Sequence, residues 1–171
     1  MLIAGKDGQQ VDIKILGYQY PDNSNNEWDA NWLRIYLNVK SNVGQWQTVD
    51  PSLTSWEFKQ LTEWFADLAS DKKTIQNEIT FTEPNLSFYI IKKPGDRKII
   101  QIRFDLESRP QSSSDDKDYF IDFNFSKQDL ATISADLKKE YDKFPIRLLP
   151  PTNSQVFKFN ICDWISRLFR Q

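Results

Sequence analysis

The most informative absence in this chain is histidine, which occurs nowhere among its 171 residues. Histidine is the commonest general base and the commonest metal ligand, so its absence argues against serine triads and zinc sites. The lone Cys162 cannot form an internal disulfide, and a single thiol in an apolar helical pattern is typical of a small buried residue. The five glycines form no phosphate-binding loop. We therefore expect a protein that is not an enzyme and holds no metal and no cofactor.

Long hydrophobic runs are also missing. The start of the chain has no apolar run of signal-peptide length, and no segment approaches the length of a membrane span. Together with the single cysteine, these absences predict a cytoplasmic protein.

Charge is nearly balanced in total but uneven along the chain. There are 22 basic and 24 acidic residues, and from Phe144 onward four basic residues stand against Asp163 alone. The tail therefore carries about +3 and the rest of the chain about −5. An acidic body disfavours direct binding of nucleic acid and favours a basic partner.

One long helical pattern, residues 53–68, is set among strand patterns. Thr54 and Glu57 have the spacing of a capping box, which predicts that the helix begins at Thr54. An apolar stripe with the helical period follows and needs a sheet face to cover. The stripe consists of Leu61, Trp64, Phe65 and Leu68.

Period-two alternation of apolar residues predicts about six to seven strands, and Gly17 suggests a bulge in the first of them. A second helix is expected from Ser126, capped by Asp129 at its third position and ended before Pro145. The connections look like hairpins, so we predict an α+β domain over residues 1–147. In it an antiparallel sheet carries two helices on one face.

The tail, residues 148–171, reads as a C-terminal extension with a proline-containing spacer and an amphipathic helix. Three readings stay open for the helix: docking on its own domain, a homodimer contact, or contact with a membrane surface or another partner. Its stripe contains Ile161, Trp164, Ile165 and Leu168.

A charged row is predicted on one strand, on the face opposite its core residues. It is formed by Arg103, Asp105, Glu107 and Arg109. A solvated face with cross-strand ion pairs is one reading, and a recognition surface is the other. Glycosidase chemistry by Asp105 and Glu107 lacks any flanking signal for a substrate pocket.

A second acidic position lies at Glu27 and Asp29, after a polar turn and beside Trp28 and Trp32. Amphipathic rings at such a place suit the rim of a binding surface. A sugar-stacking platform and simple packing are both open for these tryptophans.

Five motifs in register resemble the bacterial WapI-type immunity proteins over about residues 11–147. They are Trp28-Asp-Ala-Asn-Trp32-Leu33, Asp50-Pro51-Ser-Leu-Thr54-Ser-Trp56-Glu57, Phe81-Thr-Glu-Pro84-Asn85-Leu86-Ser-Phe88, Phe104-Asp-Leu-Glu107-Ser-Arg109-Pro110 and Lys143-Phe144-Pro145-Ile146-Arg147.

The resemblance implies a cytosolic antidote that binds and neutralises the toxic C-terminal domain, often a nuclease, of a cell-wall-associated contact-dependent effector. The partner would be that cognate toxin domain, and the residues we expect to face it are Glu27, Asp29, Arg103, Asp105 and Glu107. The alternative is a non-catalytic carbohydrate- or ligand-binding module.

Overall fold

The structure is a computed structural model of the chain, and the residues it describes are 1–5, 7–22, 26–42, 44–72, 75–112 and 117–148. The strands within these ranges are β1 Leu2–Ala4, β2 Gln10–Tyr18, β3 Trp32–Ser41, β4 Gly44–Thr54, β5 Glu78–Thr80, β6 Leu86–Lys92, β7 Lys98–Phe104 and β8 Tyr119–Phe125. The helices are α1 Glu27–Asn31, α2 Ser55–Ala69 and α3 Lys127–Tyr141, with a single 3-10 turn at Leu106–Ser108.

The α+β class is confirmed, but the strands are arranged differently from the expectation. Eight strands form two antiparallel sheets of four, ordered β1-β2-β3-β4 and β5-β6-β7-β8, rather than one sheet of six to seven. Within each sheet, strands that are consecutive in the chain pair with one another. The long α2 lies between β4 and β5 in the chain, and these two strands do not pair. Alternation of apolar residues identifies a strand but does not encode whether pairing continues across a helix.

The predicted central helix is present as α2. Its capping box is formed: the Glu57 N–H donates to Thr54 Oγ1 at 3.3 Å, and the Thr54 N–H donates to Glu57 Oε2 at 2.8 Å. The apolar stripe packs on the second sheet, where the rings of Phe65 and Phe88 lie 5.9 Å apart, edge to face. Such buried side chains each contribute roughly 1.5–3 kcal/mol, so the stripe anchors the helix.

One hydrophobic core joins the inner faces of both sheets with α2 and α3. The predicted second helix is confirmed as α3, capped by Ser126 and Asp129. It packs against α2, and the Ser134 hydroxyl donates to the Thr62 carbonyl at 3.1 Å. The division into residues 1–147 and a C-terminal extension stays a prediction.

Among the described residues, β1, α1 and the 3-10 turn at Leu106–Ser108 were not predicted. The five-residue α1 begins after Asn26, whose Oδ1 accepts from the Asp29 N–H at 2.9 Å. An element of three to five residues is too short to show a hydrophobic period. The predicted bulge is confirmed at Gly17, where the register of β2 and β3 shifts and φ is +150°, a value that favours glycine.

The segment that follows α3 is hydrogen-bonded to α1. The buried Asn31 side chain donates to the Leu148 carbonyl at 2.9 Å and accepts from the Arg147 N–H at 2.9 Å. The Arg147 guanidinium lies 3.6 Å from the centre of the Tyr18 ring. The predicted amphipathic helix of the tail lies outside the described residues.

Candidate functional site

The predicted charged row does not follow one strand. β7 ends at Phe104, and the chain turns at Leu106, whose φ is +46°. The Ser108 N–H donates to the Asp105 carbonyl at 2.9 Å, and the Trp46 indole donates to the Ser108 carbonyl at 2.9 Å. These bonds hold the 3-10 turn against β4, so reading the alternation as a strand through residue 107 was wrong.

The members of the row are consequently separated. Arg103 stays on the outer face of β7, where its guanidinium lies 4.9 Å from the Tyr89 ring centre and its Nε donates to Gln101 at 2.6 Å. Asp105 accepts from Arg109 Nη2 at 2.9 Å. Glu107 is carried by the 3-10 turn and faces β4 rather than the row.

Glu27 and Asp29 lie in the first turn of α1, where negative charge is favoured by the helix dipole. Asp29 also accepts from the Asn26 side-chain amide at 2.8 Å. The five residues predicted to face a partner belong to three elements, which are α1, the end of β7 and the 3-10 turn. Their role stays a prediction.

Glu107 lines a groove between β4 and the segment that follows β7. The groove has a larger compartment of about 530 Å³, bordered by β4 and residues 106–111, and a smaller one of about 280 Å³, bordered by Gln19, Tyr20 and Trp32. Asp50 and Glu107 line both compartments. We call this cleft the acidic groove, defined by Asp50, Glu83 and Glu107.

The three carboxylates of the acidic groove lie close together, and Arg109, the one cationic side chain among the described lining residues, is paired with Asp105. The Asn85 amide nitrogen donates to Asp50 Oδ2 and to Glu107 Oε2, each at 3.2 Å, and so bridges two acids. Among the described residues no salt bridge involves Asp50, Glu83 or Glu107. The arrangement therefore presents unneutralised negative charge in a partly buried place.

Burial and mutual repulsion both act on these acids. Burial raises the pKa of Asp50 above its ordinary value, the Glu107 charge raises it further, and the Asn85 hydrogen bond acts in the opposite direction. Burial also raises the pKa of Glu83, to which the charges of Asp50, Glu107 and Glu57 add. A positive charge brought into the groove would relieve this repulsion.

Glu57 lies next to the groove, and its carboxylate differs from those of the groove because its hydrogen bonds are satisfied within the protein. It is 3% exposed, and in addition to its two bonds with Thr54 its Oε1 accepts from the Thr82 N–H at 2.7 Å. This contact ties the start of α2 to the loop that carries Glu83 and Asn85. Glu57 thus positions one wall of the acidic groove.

The predicted rim tryptophans are half-buried and pack together. Trp28 meets Trp56 edge to face at 5.1 Å, and its ring lies 6.3 Å from that of Trp32. Trp32 also lines the smaller compartment of the acidic groove. One of the two rings is therefore placed where a bound group could stack on it.

The groove offers acceptors for cationic donors rather than a metal cage. Among the described residues, no cluster of three or more Asp, Glu, Cys or His side chains has an arrangement that could hold a metal ion. Carboxylates separated by a bridging amide suit the nitrogen donors of a basic side chain.

Sequence reasoning missed Asp50, Glu83 and Asn85 as members of a site. Asp50 is distant in the chain from Glu83 and Asn85, and each of the three was explained locally by a proline beside it. A signal was nevertheless present, because the motifs that resemble the immunity proteins contain Trp32, Asp50, the Glu83–Asn85 run and Glu107. The fold brings these motifs together at the acidic groove.

Comparison with known proteins gives one match. Residues 1–145 match the family described as Immunity protein WapI-like family. No curated protein and no solved structure matches the chain. Within the part of the chain that the structure describes, no helix has the length and apolar character needed to cross a membrane.

Proposed function

The chain belongs to the WapI-like immunity protein family, and from this membership we propose that it binds one cognate toxin domain and neutralises it. The match over residues 1–145 is the observation that carries the proposal, because it covers both sheets and all three helices. The protein acts as a stoichiometric inhibitor and has no turnover of its own. It acts in the cytoplasm on a toxin domain that arrives from a neighbouring cell.

We further propose that the toxin domain is a basic nuclease. Nucleases hold phosphates with Lys and Arg, so an acidic inhibitor gains fast association and covers the substrate channel at once. The acidic body of the chain and the unneutralised charge of the acidic groove support this choice. The inhibitor does not contact nucleic acid itself.

The contact surface in this proposal includes the residues predicted from the sequence. Glu107 belongs to the acidic groove, while Glu27 and Asp29 on α1, with Arg103 and Asp105 near the end of β7, would lie around it. Charge reversal at Glu27 and Asp29 together should slow association by about tenfold if α1 faces the toxin. An unchanged rate in a folded variant would remove α1 from the contact surface.

The test uses the toxin domain encoded beside this chain, produced as a catalytically inactive variant for binding and as the active form for inhibition. We expect a 1:1 complex with a nanomolar or lower Kd, association slowed by added salt, and loss of nuclease activity at equimolar inhibitor. A toxin domain that remains active with excess inhibitor, and forms no complex with it, contradicts the proposal.

A carbohydrate-binding function is the second candidate, because Trp32 lines the smaller compartment next to Asp50. A ring beside a carboxylate can stack on a sugar and accept from its hydroxyls. Titration with a panel of oligosaccharides, followed by tryptophan fluorescence, tests this reading. Saturable quenching that is lost in Trp32→Ala, together with no toxin binding, would favour it over the immunity role.

For the architecture, we propose that residues 1–147 form one domain and that the amphipathic helix of the C-terminal extension docks on this domain, with a homodimer contact as the alternative. Light scattering and urea denaturation of the full chain and of a variant that lacks residues 148–171 test both statements. We expect the truncated variant to fold and to be less soluble, because it exposes the apolar surface that the extension covers. A truncated chain that does not fold contradicts the domain boundary, and one that stays monomeric, soluble and equally stable contradicts docking.

A further inference from the structure

The rim of the acidic groove is apolar as well as charged. Among the large apolar side chains that are exposed, Tyr20 (46%), Val49 (49%) and Leu106 (41%) all line this groove. Exposed apolar side chains that surround a polar cleft are characteristic of protein-binding surfaces, where they exclude water from a central contact.

The groove also concentrates polar atoms that lack a partner. Six buried side-chain nitrogen or oxygen atoms of the described residues have no hydrogen-bond partner, and four of them are at or beside this groove. They are Thr48 Oγ1, Asn85 Oδ1, Ser108 Oγ and Arg109 Nε. Buried polar groups are almost always hydrogen-bonded, so four exceptions around one cleft mark a region whose internal packing is not optimised for stability.

The backbone conformation of Leu106 is a third, independent indication that the groove is a binding surface. Its φ of +46° places a leucine in the left-handed region, which Gly, Asn and Asp tolerate far better. The strained turn holds the leucine side chain exposed at the groove and directs Glu107 into it. Backbone strain that the surrounding structure maintains is concentrated at functional sites.

We propose that the acidic groove receives an arginine side chain from a loop of the toxin domain, an inference that rests on the proposed function. The guanidinium enters the smaller compartment, where none of the described lining residues is Lys or Arg, and donates to Asp50 and Glu107. The backbone of the same loop crosses the larger compartment and packs against the exposed Val49 and Leu106 side chains that line it.

Arginine fits this compartment better than lysine for two reasons. Its planar fork can donate to two carboxylates that are bridged by one amide, whereas an ammonium group is a point charge. Its plane can also stack on an aromatic ring, and both Tyr20 and Trp32 line the compartment. The chain already makes this contact internally, with Arg147 on Tyr18 at 3.6 Å.

The first experiment uses the full chain alone and needs no toxin. N-acetyl-arginine-N-methylamide is titrated while NMR follows the Trp32 indole N–H and the Asn85 side-chain amide, with the neutral citrulline analogue as the matched ligand. We expect saturable shifts with the arginine probe at millimolar concentration, weaker shifts with the lysine analogue and none with citrulline. Equal shifts with citrulline, or no saturable shift with arginine, would overturn the proposal.

Variants make this test specific to the groove. Asp50→Asn and Glu107→Gln keep the shape of each side chain and remove its charge, and each should weaken the probe response by at least about fivefold. Glu63→Gln, on the exposed side of α2, removes the same charge elsewhere and should leave the response unchanged. A response that persists in the double variant Asp50→Asn/Glu107→Gln places the probe outside the groove and overturns the proposal.

The second experiment measures the affinity of the same variants for the toxin domain. We expect at least about a tenfold loss for Glu107→Gln and for Asp50→Asn, and none for Glu63→Gln. Wild-type binding with unchanged groove variants overturns the arginine site but leaves the immunity function standing. A wild-type protein that binds no toxin domain yet shows the arginine-specific shifts overturns the proposed function and supports the site.

Discussion

The acidic groove and the end of α2 each contain a non-glycine residue with positive φ, and the two places use it in opposite ways. At the end of α2 the residue is Asp71, with φ of +53°, and at the groove it is Leu106, with φ of +46°. Aspartate adopts this conformation more readily than leucine does. The end of α2 therefore accommodates positive φ with a suitable residue, whereas at the groove Leu106 has a strained backbone conformation that the surrounding structure maintains.

The carboxyl groups at the two places also differ in whether a positive charge neutralises them. Asp71 accepts from Lys98 Nζ at 2.6 Å and from Lys127 Nζ at 3.1 Å, which joins the end of α2 to β7 and to α3. The hydrogen bond from Lys98, followed by that from Lys127, lowers the pKa of Asp71. In the acidic groove, burial and neighbouring acids instead raise the pKa of Asp50 and of Glu83.

This difference distinguishes a stabilising junction from a candidate binding surface within one fold. The Asp71 junction satisfies its charge and holds elements together, while the acidic groove leaves carboxylates without counter-ions and apolar side chains exposed. Proteins tolerate such local destabilisation where binding requires it and stabilise the rest of the fold. Four substitutions test the comparison.

Glu57→Ala should cause a large loss of stability, because Glu57 is buried and accepts hydrogen bonds from both Thr54 and Thr82. We expect the free energy of unfolding to fall by about 3 kcal/mol in urea denaturation. Glu63→Ala, on the exposed side of the same helix, should change it by less than about 0.5 kcal/mol. If the two variants are equally stable, Glu57 is not a structural support of the groove wall.

Leu106→Asn should stabilise the free protein, because asparagine tolerates positive φ and the leucine side chain is 41% exposed. The expected gain is about 1 kcal/mol in the free energy of unfolding. Leu16→Asn, an exposed position in β2, is the control and should give no gain. A less stable Leu106→Asn variant would show that the turn is not strained.

Asp71→Asn should lower the melting temperature at pH 7, because Lys98 and Lys127 lose their carboxylate. A folded-state pKa below the ordinary 3.8 contributes stability that is present above pH 3.8 and is lost as the pH falls through the lowered value. The melting temperatures of variant and wild type should therefore converge below pH 3.8. A constant difference across this range would show that charge is not the cause.

Asp50→Asn should change the stability in the opposite direction to Asp71→Asn, and the change should be small. Because the folded-state pKa of Asp50 is above the ordinary 3.8, the wild type loses stability as the pH rises from 3.8 through the raised value. The variant should be more stable at pH 7 by about 0.5 kcal/mol or less, after solvent screening, and equal to wild type at lower pH. A less stable variant at pH 7 would mean that Asp50 supports the fold.

Local chemistry in the sequence was sufficient for the two long helices and most strands. The Thr54 and Glu57 pair predicted the start of α2, Ser126 and Asp129 predicted that of α3, and Gly17 predicted the bulge in β2. These features depend on residues within a few positions of one another, so their signals are present in the chain before it folds. The α+β class and the acidic character of the body followed in the same way.

Tertiary packing alone decided the division into two sheets and the position of the acidic groove. Asp50 lies in β4, Glu83 in the loop between β5 and β6, and Glu107 in the 3-10 turn. They meet because α2 packs against the second sheet and Trp46 holds the 3-10 turn on β4. The raised pKa values of Asp50 and Glu83, and the Asn85 amide shared by Asp50 and Glu107, arise from contacts between residues that are distant in the sequence, so they leave no local pattern.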